Sequence, residues 1–238
     1  MPIHIDKEID SSDDIVDLIL PSGHILDGDV LVIAQKIISK HEGRVVKLSS
    51  VVPSLLAEGL GSQYQKDPRL IELILRESKK IVRIKNGIII VETNNGFICA
   101  NAGIDESNVQ NGYATLLPID SDLSAELIRK EIHKKTGKSV AIIISDTFGR
   151  PFRLGQTNFA IGVSGINPIQ DYVGTADSFG KILRVTEIAV ADELCAAAEL
   201  VMKKTSYCPV AVIRNYQFTH IASSINQLIR NENEDLFR

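Results

Sequence analysis

Two spacings of apolar residues alternate along this chain and predict where it coils and where it extends. Residues 13–20 place Ile15, Val16, Leu18 and Ile19 at helical intervals, and Pro21-Ser22-Gly23 closes the segment. Residues 30–34 form an unbroken apolar run of strand length, 35–41 follow with mixed polarity, and Glu42-Gly43-Arg44 makes a turn. At 68–79, Leu70, Ile71, Leu73, Ile74 and Leu75 predict a helix with one face against a core. The β-branched run 87–93, the pair Asn95-Gly96 and the run 97–100 predict a hairpin on a type I′ turn, whose two central residues both need positive φ.

In the second half, 123–136 has the pattern of an amphipathic helix started by Ser121 or Asp122 and closed by Gly137. Strands are predicted at 140–144 and 158–164, with the polar residues between them forming a loop. Alanines at 189, 191, 196, 197 and 198 predict a long, closely packed helix over 184–204. A strand at 209–213 and a short helix at 221–230 precede an acidic tail. Helices and hairpins interleave without a steady βαβ alternation. The expected class is therefore α+β, with mixed, partly antiparallel sheets and packed helices. One domain over residues 1–238 accounts for the pattern, with room for two subdomains.

Composition narrows the function classes. A 44% hydrophobic and 24% charged content is that of a soluble globular protein, and a net charge of −4 argues against nucleic acid as the main partner. Three cysteines, Cys99, Cys195 and Cys208, are odd in number and lack scaffold spacing, which predicts reduced thiols. With no signal-like start and no apolar run of membrane-spanning length, the expected setting is the cytoplasm, with no membrane partner.

Chemistry concentrates in three places. Residues 144–165 carry Asp146 and Thr147 at a strand exit, then Arg150, Arg153, Gln156, Thr157 and Asn158. An Asp beside a Thr offers oxygen ligands to a hard cation, and arginine forks suit carboxylate or phosphate oxygens. Residues 101–108 add Asp105 and Asn108, so two carboxylates from separate strand ends could share a phosphate-linked Mg²⁺ or Mn²⁺. Taken alone, Asp105 reads more readily as the cap of a local turn than as a ligand. If 35–41 is helical, Lys36 and Lys40 stand on one face at i, i+4, either solvated or reaching one polyphosphate. Familiar alternatives fail. Ile132 replaces the first glycine of a P-loop before Gly137-Lys138-Ser139, Tyr64 the third glycine of a dinucleotide fingerprint after Gly59-Leu60-Gly61, and the five histidines lack metal-ligand spacing.

AQKIISKHEGR (34–44), NAGIDESN (101–108), ISDTFGRPFRLGQTNFAIGVSG (144–165) and YVGTADSFGKILRVTEIAVADELCAAAELVM (172–202) together resemble the coenzyme F420-0:L-glutamate ligase family. That resemblance implies an α+β intertwined homodimer that joins L-glutamate to coenzyme F420-0 through a γ-linked amide. GTP is the implied co-substrate, Mg²⁺ or Mn²⁺ the divalent cation, and K⁺ an auxiliary one. By the same resemblance Asp105, Asp146 and Thr147 are the expected metal ligands, and Gln35, Lys36, Lys40 and Asn108 the expected nucleotide contacts. Arg150 and Arg153 are assigned to a substrate carboxylate or phosphodiester by our own reading of their chemistry. The chain departs from the family's pattern at Ile5-Asp6-Lys7-Glu8-Ile9, where many members carry Gly-Leu-Pro or Gly-Ile-Pro and where an added acid near phosphate is unfavourable. It departs again at residues 202–209, where Lys204 stands in place of a metal-binding glutamate found in some members. Lys204 and Thr205 are there expected to meet phosphate. Two further classes fit the same residues: a metal-dependent phosphotransferase acting on another substrate, and a catalytically altered nucleotide-binding homologue.

Overall fold

The computed structural model describes residues 1–22 and 24–235, so the Gly23 expected to help close the first helix and the last three residues of the acidic tail lie outside the described residues. In chain order the first half comprises β1 (Pro2–Ile3), α1 (Ile15–Ile19), β2 (Val30–Ala34), α2 (Gln35–His41), β3 (Val45–Lys47), α3 (Leu55–Tyr64) and α4 (Pro68–Arg76), then β4 (Ser78–Lys85), β5 (Ile88–Thr93), β6 (Ile98–Ala100) and β7 (Tyr113–Thr115). The second half comprises α5 (Ser121–Thr136), β8 (Ala141–Arg150), β9 (Arg153–Ser164), β10 (Gln170–Asp171), β11 (Glu187–Ile188), α6 (Val190–Met202) and β12 (Val210–Ile213). The architecture is mixed α+β with several partly antiparallel sheets.

The central sheet runs β1-β12-β2-β8-β9, and β2 and β8 are its parallel neighbours. Both are apolar on both faces because helices cover both, which is what an unbroken Val-Leu-Val-Ile or Ile-Ile-Ile run requires. The main core gathers these strands with α1, α5, α6 and β12. β9 lies so close to the start of α5 that a Cβ at Gly162 would meet Ser121 backbone at 2.5 Å, so glycine is a packing requirement there. Two smaller apolar clusters lie beside the main one, one joining α3, α4 and β5 and one around Leu48, Leu73 and Leu116.

Several expectations are revised, each for a local reason. The 95–96 hairpin is not type I′: Gly96 has φ +88 and Asn95 stays right-handed, while Gly96 N–H donates to Thr93 O and Thr93 N–H to Phe97 O. That is a three-residue loop with glycine in the left-handed position. The helix expected over 68–79 ends at Arg76, where Ser78 Oγ donates back to Ile74 O and the chain enters β4. The helix expected over 184–204 spans only Val190–Met202, since β-branched Val185, Thr186 and Ile188 favour extension and Glu187 pairs with Asp171. Asp120, rather than Ser121 or Asp122, caps α5. Asp122 instead accepts from Ser224 Oγ and Ile225 N–H, and 221–230 yields only a short 3-10 turn at Ile225–Leu228.

The largest revision concerns 146–158, which is not a loop. β8 continues through Asp146 to Arg150 and returns as β9, with Asp146 opposite Phe159, Thr147 opposite Asn158 and Arg150 opposite Arg153. A polar strand protruding past the sheet lacks the alternating apolar signature by which strands are recognised.

Candidate functional site

The site is assembled by the topology of the parallel pair. Ala34 ends β2 opposite Ser145 of β8, so Lys36, two residues on, and Asp146, one residue on, leave the sheet at the same carboxyl edge. Crevices at such edges are where open sheets bind ligands. β12 runs antiparallel and starts at that edge, where Ala34 N–H donates to Pro209 O at 2.8 Å. The 203–207 loop leading into β12 is thereby delivered to the same place.

Asp105 arrives from the other side. After β6, Asn101, Ala102 and Gly103 all take positive φ (+53, +55 and +68), and Asp105 then bridges to Thr115. Asn and Gly tolerate the left-handed region, whereas the buried Ala102 holds it at a cost of about 1 kcal/mol, which the surrounding packing must offset. Asp105 accepts from Ser107 N–H and Ser107 Oγ, both at 2.7 Å, so the local turn foreseen as the plainer reading is present. It also accepts from Lys36 Nζ at 2.6 Å, and that ammonium donates further to Ser107 O and Oγ at 2.8 and 2.7 Å. Burial pushes the Asp105 carboxyl up, but the Lys36 and Ser107 hydrogen bonds outweigh it and hold it below its usual range.

Asp146 behaves oppositely. Its carboxyl is deeply set and makes no ion pair among the described residues, and burial pushes it up to about 6. The Thr147 amide and the charges of Lys204 and Lys36 work against that rise, whereas the Asp105 charge adds to it. Asp105, Asp146, Lys36 and Lys204 therefore share one electrostatic neighbourhood, and the two carboxylates repel across it. Thr147 Oγ1 donates to Asn158 Oδ1 at 2.7 Å, its partner across the hairpin, and Lys204 Nζ donates to Thr147 Oγ1. Asp105, Asp146, Thr147 and Asn158 form a donor set made of oxygens. Among the described residues no three of His, Cys, Asp and Glu gather as metal ligands; a hard cation that takes one or two carboxylates plus substrate phosphate does not require such a group. Raised by burial and by Asp146, the nearby Cys99 thiol sits at about 12 and stays protonated at neutral pH. The site thus carries no thiolate nucleophile there.

The remaining expected residues fall into four groups. Lys40 stands one helical turn from Lys36, pairs with the Glu8 carboxylate, and donates to Asn108 O at 2.7 Å. Glu8, the acid noted in the unusual N-terminal segment, thus faces one of the two lysines expected on phosphate. Gln35 is buried, and its amide donates to Ser39 Oγ at 2.5 Å and Leu116 O at 3.1 Å, so it ties α2 to the β7 side. Asn108 and Thr205 are exposed on loops at the same end. Arg150 and Arg153 are not brought to the carboxylates. They lie four residues up the hairpin, about 13 Å beyond Asp146 at ~3.3 Å per residue. Arg150 donates one Nη2 hydrogen to Leu154 O at 3.1 Å while its Nε is buried without an acceptor among the described residues. The sequence presents Asn158 within a polar cluster and Glu8 within an unusual N-terminal segment, but by itself assigns no role at the site to either or to Ser107. A hairpin reading of 146–158 would have exposed Asn158 as Thr147's cross-strand partner.

Comparison with known proteins identifies what the chain as a whole is similar to. The family model described as F420-0:Gamma-glutamyl ligase matches residues 4–215. A protein named coenzyme F420:L-glutamate ligase from Methanothermobacter thermautotrophicus is 45% identical over 238 residues, covering 97% of this chain and 94% of its own. The proteins of that name from Methanocaldococcus jannaschii and Methanopyrus kandleri are 47% and 42% identical, covering 90% and 89% of this chain and 86% and 84% of theirs.

Proposed function

Because the chain belongs to the F420-0:Gamma-glutamyl ligase family, we propose that it joins L-glutamate to coenzyme F420-0 through a γ-linked amide, with GTP as the energy source and Mg²⁺ or Mn²⁺, assisted by K⁺, as the cations. The observation that carries this reading is the convergence of Asp105, Asp146 and Thr147 with Lys36 and Lys40 at one sheet edge. Asp105, Asp146 and Thr147 hold the divalent cation, whose chemistry there is to neutralise polyphosphate charge. The elevated Asp146 carboxyl supports that assignment, because a bound cation relieves the burial and repulsion that raise it.

The chain's own groups then position the reactants. Lys36 and Lys40 hold phosphate oxygens, and Asn108 lies beside Lys40 at the nucleotide end. A carboxylate oxygen of F420-0 attacks the γ-phosphorus of GTP, the bond to the β-phosphate oxygen breaks, and GDP leaves an acyl phosphate. The glutamate α-amine attacks the acyl carbon, expels inorganic phosphate and loses a proton as the amide forms. Little covalent participation by the protein is needed, so rate comes from alignment and charge placement.

GDP release over many turnovers is expected only when F420-0 and glutamate are both present, with product mass rising by one glutamyl residue per GDP. GDP formed equally well without glutamate would instead indicate a phosphotransferase, and tight Mn²⁺–GTP binding without any turnover a catalytically altered homologue.

The homodimer belongs to the same proposal. Leu154, Phe179 and Val185 are 98%, 96% and 87% exposed on two arms, the β8–β9 tip and the 172–188 segment, more apolar surface than an isolated subunit ordinarily exposes. Swapping these arms between subunits also gives Arg150 and Arg153 a second site to reach. Sedimentation of the full chain is expected to give twice the chain mass, and Phe152→Ser with Leu154→Ser a monomer. A monomeric wild type would refute the dimer.

A further inference from the structure

Lys204 is the one site residue whose position does not follow from a role on phosphate. α6 ends at Met202, and Lys203 and Tyr207 both take positive φ (+52 and +51), so the connecting loop turns sharply at each end. Ser206 Oγ caps the helix on Met202 O. Between these anchors the Lys204 side chain is directed inward: its ammonium donates to Thr147 Oγ1 and lies 3.5 Å from Asn158 Oδ1. Thr147 Oγ1 gives its own proton to Asn158. The hydroxyl thus places its hydrogen on the amide oxygen and one of its two lone pairs on the ammonium. A divalent cation ligated by the other lone pair would meet a like charge at contact distance.

We infer that the Lys204 ammonium is a tethered cation filling the position at Thr147 and Asn158, so that each chain takes one divalent ion, held by Asp105 and Asp146, where a site open at Thr147 would take two. The inference rests on the metal reading proposed above and revises it at one residue: Thr147 serves through the ammonium and is not itself a ligand of the divalent cation. Its consequence is a specificity device. The second positive charge over the polyphosphate is built into the chain and does not depend on ion concentration, whereas an acid at the same position would recruit an ion from solution.

Counting bound Mn²⁺ on the full-length protein by electron paramagnetic resonance, with Mn²⁺ alone as the probe, tests this without reference to activity. Wild type is expected to bind one Mn²⁺ per chain, and Lys204→Glu two. Lys204→Met is expected to keep one, bound about tenfold more tightly because the neighbouring like charge is gone. Lys204 is exposed, so these variants should fold, and their melting curves check that they do. Asp146→Asn separates the two levels of the argument. If wild type binds Mn²⁺ and Asp146→Asn binds it equally well, the metal reading itself is wrong. If binding depends on Asp146 but wild type already takes two ions, or Lys204→Glu takes no more than wild type, the metal reading stands and the role given to Lys204 is overturned.

Discussion

Replacing Asp146 by asparagine is expected to abolish ligation, lowering turnover by at least about a thousandfold, while making the metal-free protein harder to unfold at neutral pH. The first effect follows from removing one of the two carboxylates that grip the cation, a loss of preorganised charge of the kind that costs roughly 10²–10³ in rate for a single group and more when an ion goes with it. The second follows from linkage. Asp146 titrates near 6 in the folded chain against an ordinary value of 3.8. A raised carboxyl favours folding while it is protonated, and that contribution is present below about pH 4 and lost as pH rises through about 6. Ionised Asp146 therefore burdens the fold above pH 6, by about 2 kcal/mol once partial contact with water is allowed for. Denaturant unfolding with chelator present should show Asp146→Asn more stable than wild type at pH 8 and equal to it at pH 4. A variant less stable at pH 8 would contradict the burial argument.

Lys36→Met is expected to lower kcat/KM for GTP by about 10²–10³ and to move stability the other way. Its ammonium makes three hydrogen bonds of 2.6–2.8 Å, to Asp105 and twice to Ser107, so it orients a proposed ligand and meets phosphate at once. Losing it releases the Asp105 carboxylate from the geometry that aims it, leaving Lys40 and Lys204 as the ammonium groups over the phosphates. The Lys36 hydrogen bond is the chief influence holding Asp105 low against burial. A depressed carboxyl stabilises above its unfolded pKa, and that stabilisation is lost as pH falls through the folded value. The variant should thus be less stable than wild type at neutral pH, by about 1 kcal/mol for a half-exposed pair, and converge with it in acid. Opposite stability changes for two neighbouring substitutions that both destroy activity would be hard to obtain from general damage to the fold. Steady-state kinetics and unfolding curves on the same preparations read both quantities.

Much of this was legible in residue order, for identifiable reasons. The β2–α2 unit could be placed because an apolar run ends abruptly at Gln35 and the following residues suit a helix. α5 and its Gly137 stop were legible because the helix carries its own start and stop signals. What escaped was pairing set by distant partners. Short edge strands such as β3, β7, β10 and β11 have two or three residues each and no periodicity to detect. The polar half of the β8–β9 hairpin reads as a loop because Asp146, Thr147, Gly149 and Arg150 give no alternating apolar face, although Phe148 packs against the core. At the site, the residue types at 36, 105, 146 and 147 announced oxygen ligands and ammonium groups. The Lys204–Thr147 and Lys40–Glu8 contacts span 57 and 32 residues and could be seen only once the sheet edge was assembled.

The central claim is that Asp105 and Asp146, 41 positions apart in the sequence, grip one cation that shields a nucleotide's phosphates. Anomalous scattering from crystals of the wild-type protein grown with Mn²⁺ and GDP tests it most directly. The account predicts a manganese peak at coordination distance from carboxylate oxygens of both residues and from a GDP phosphate, with Lys36 and Lys40 around the same phosphates. A peak held by neither carboxylate, or GDP bound away from the edge where β2 and β8 end, would contradict it.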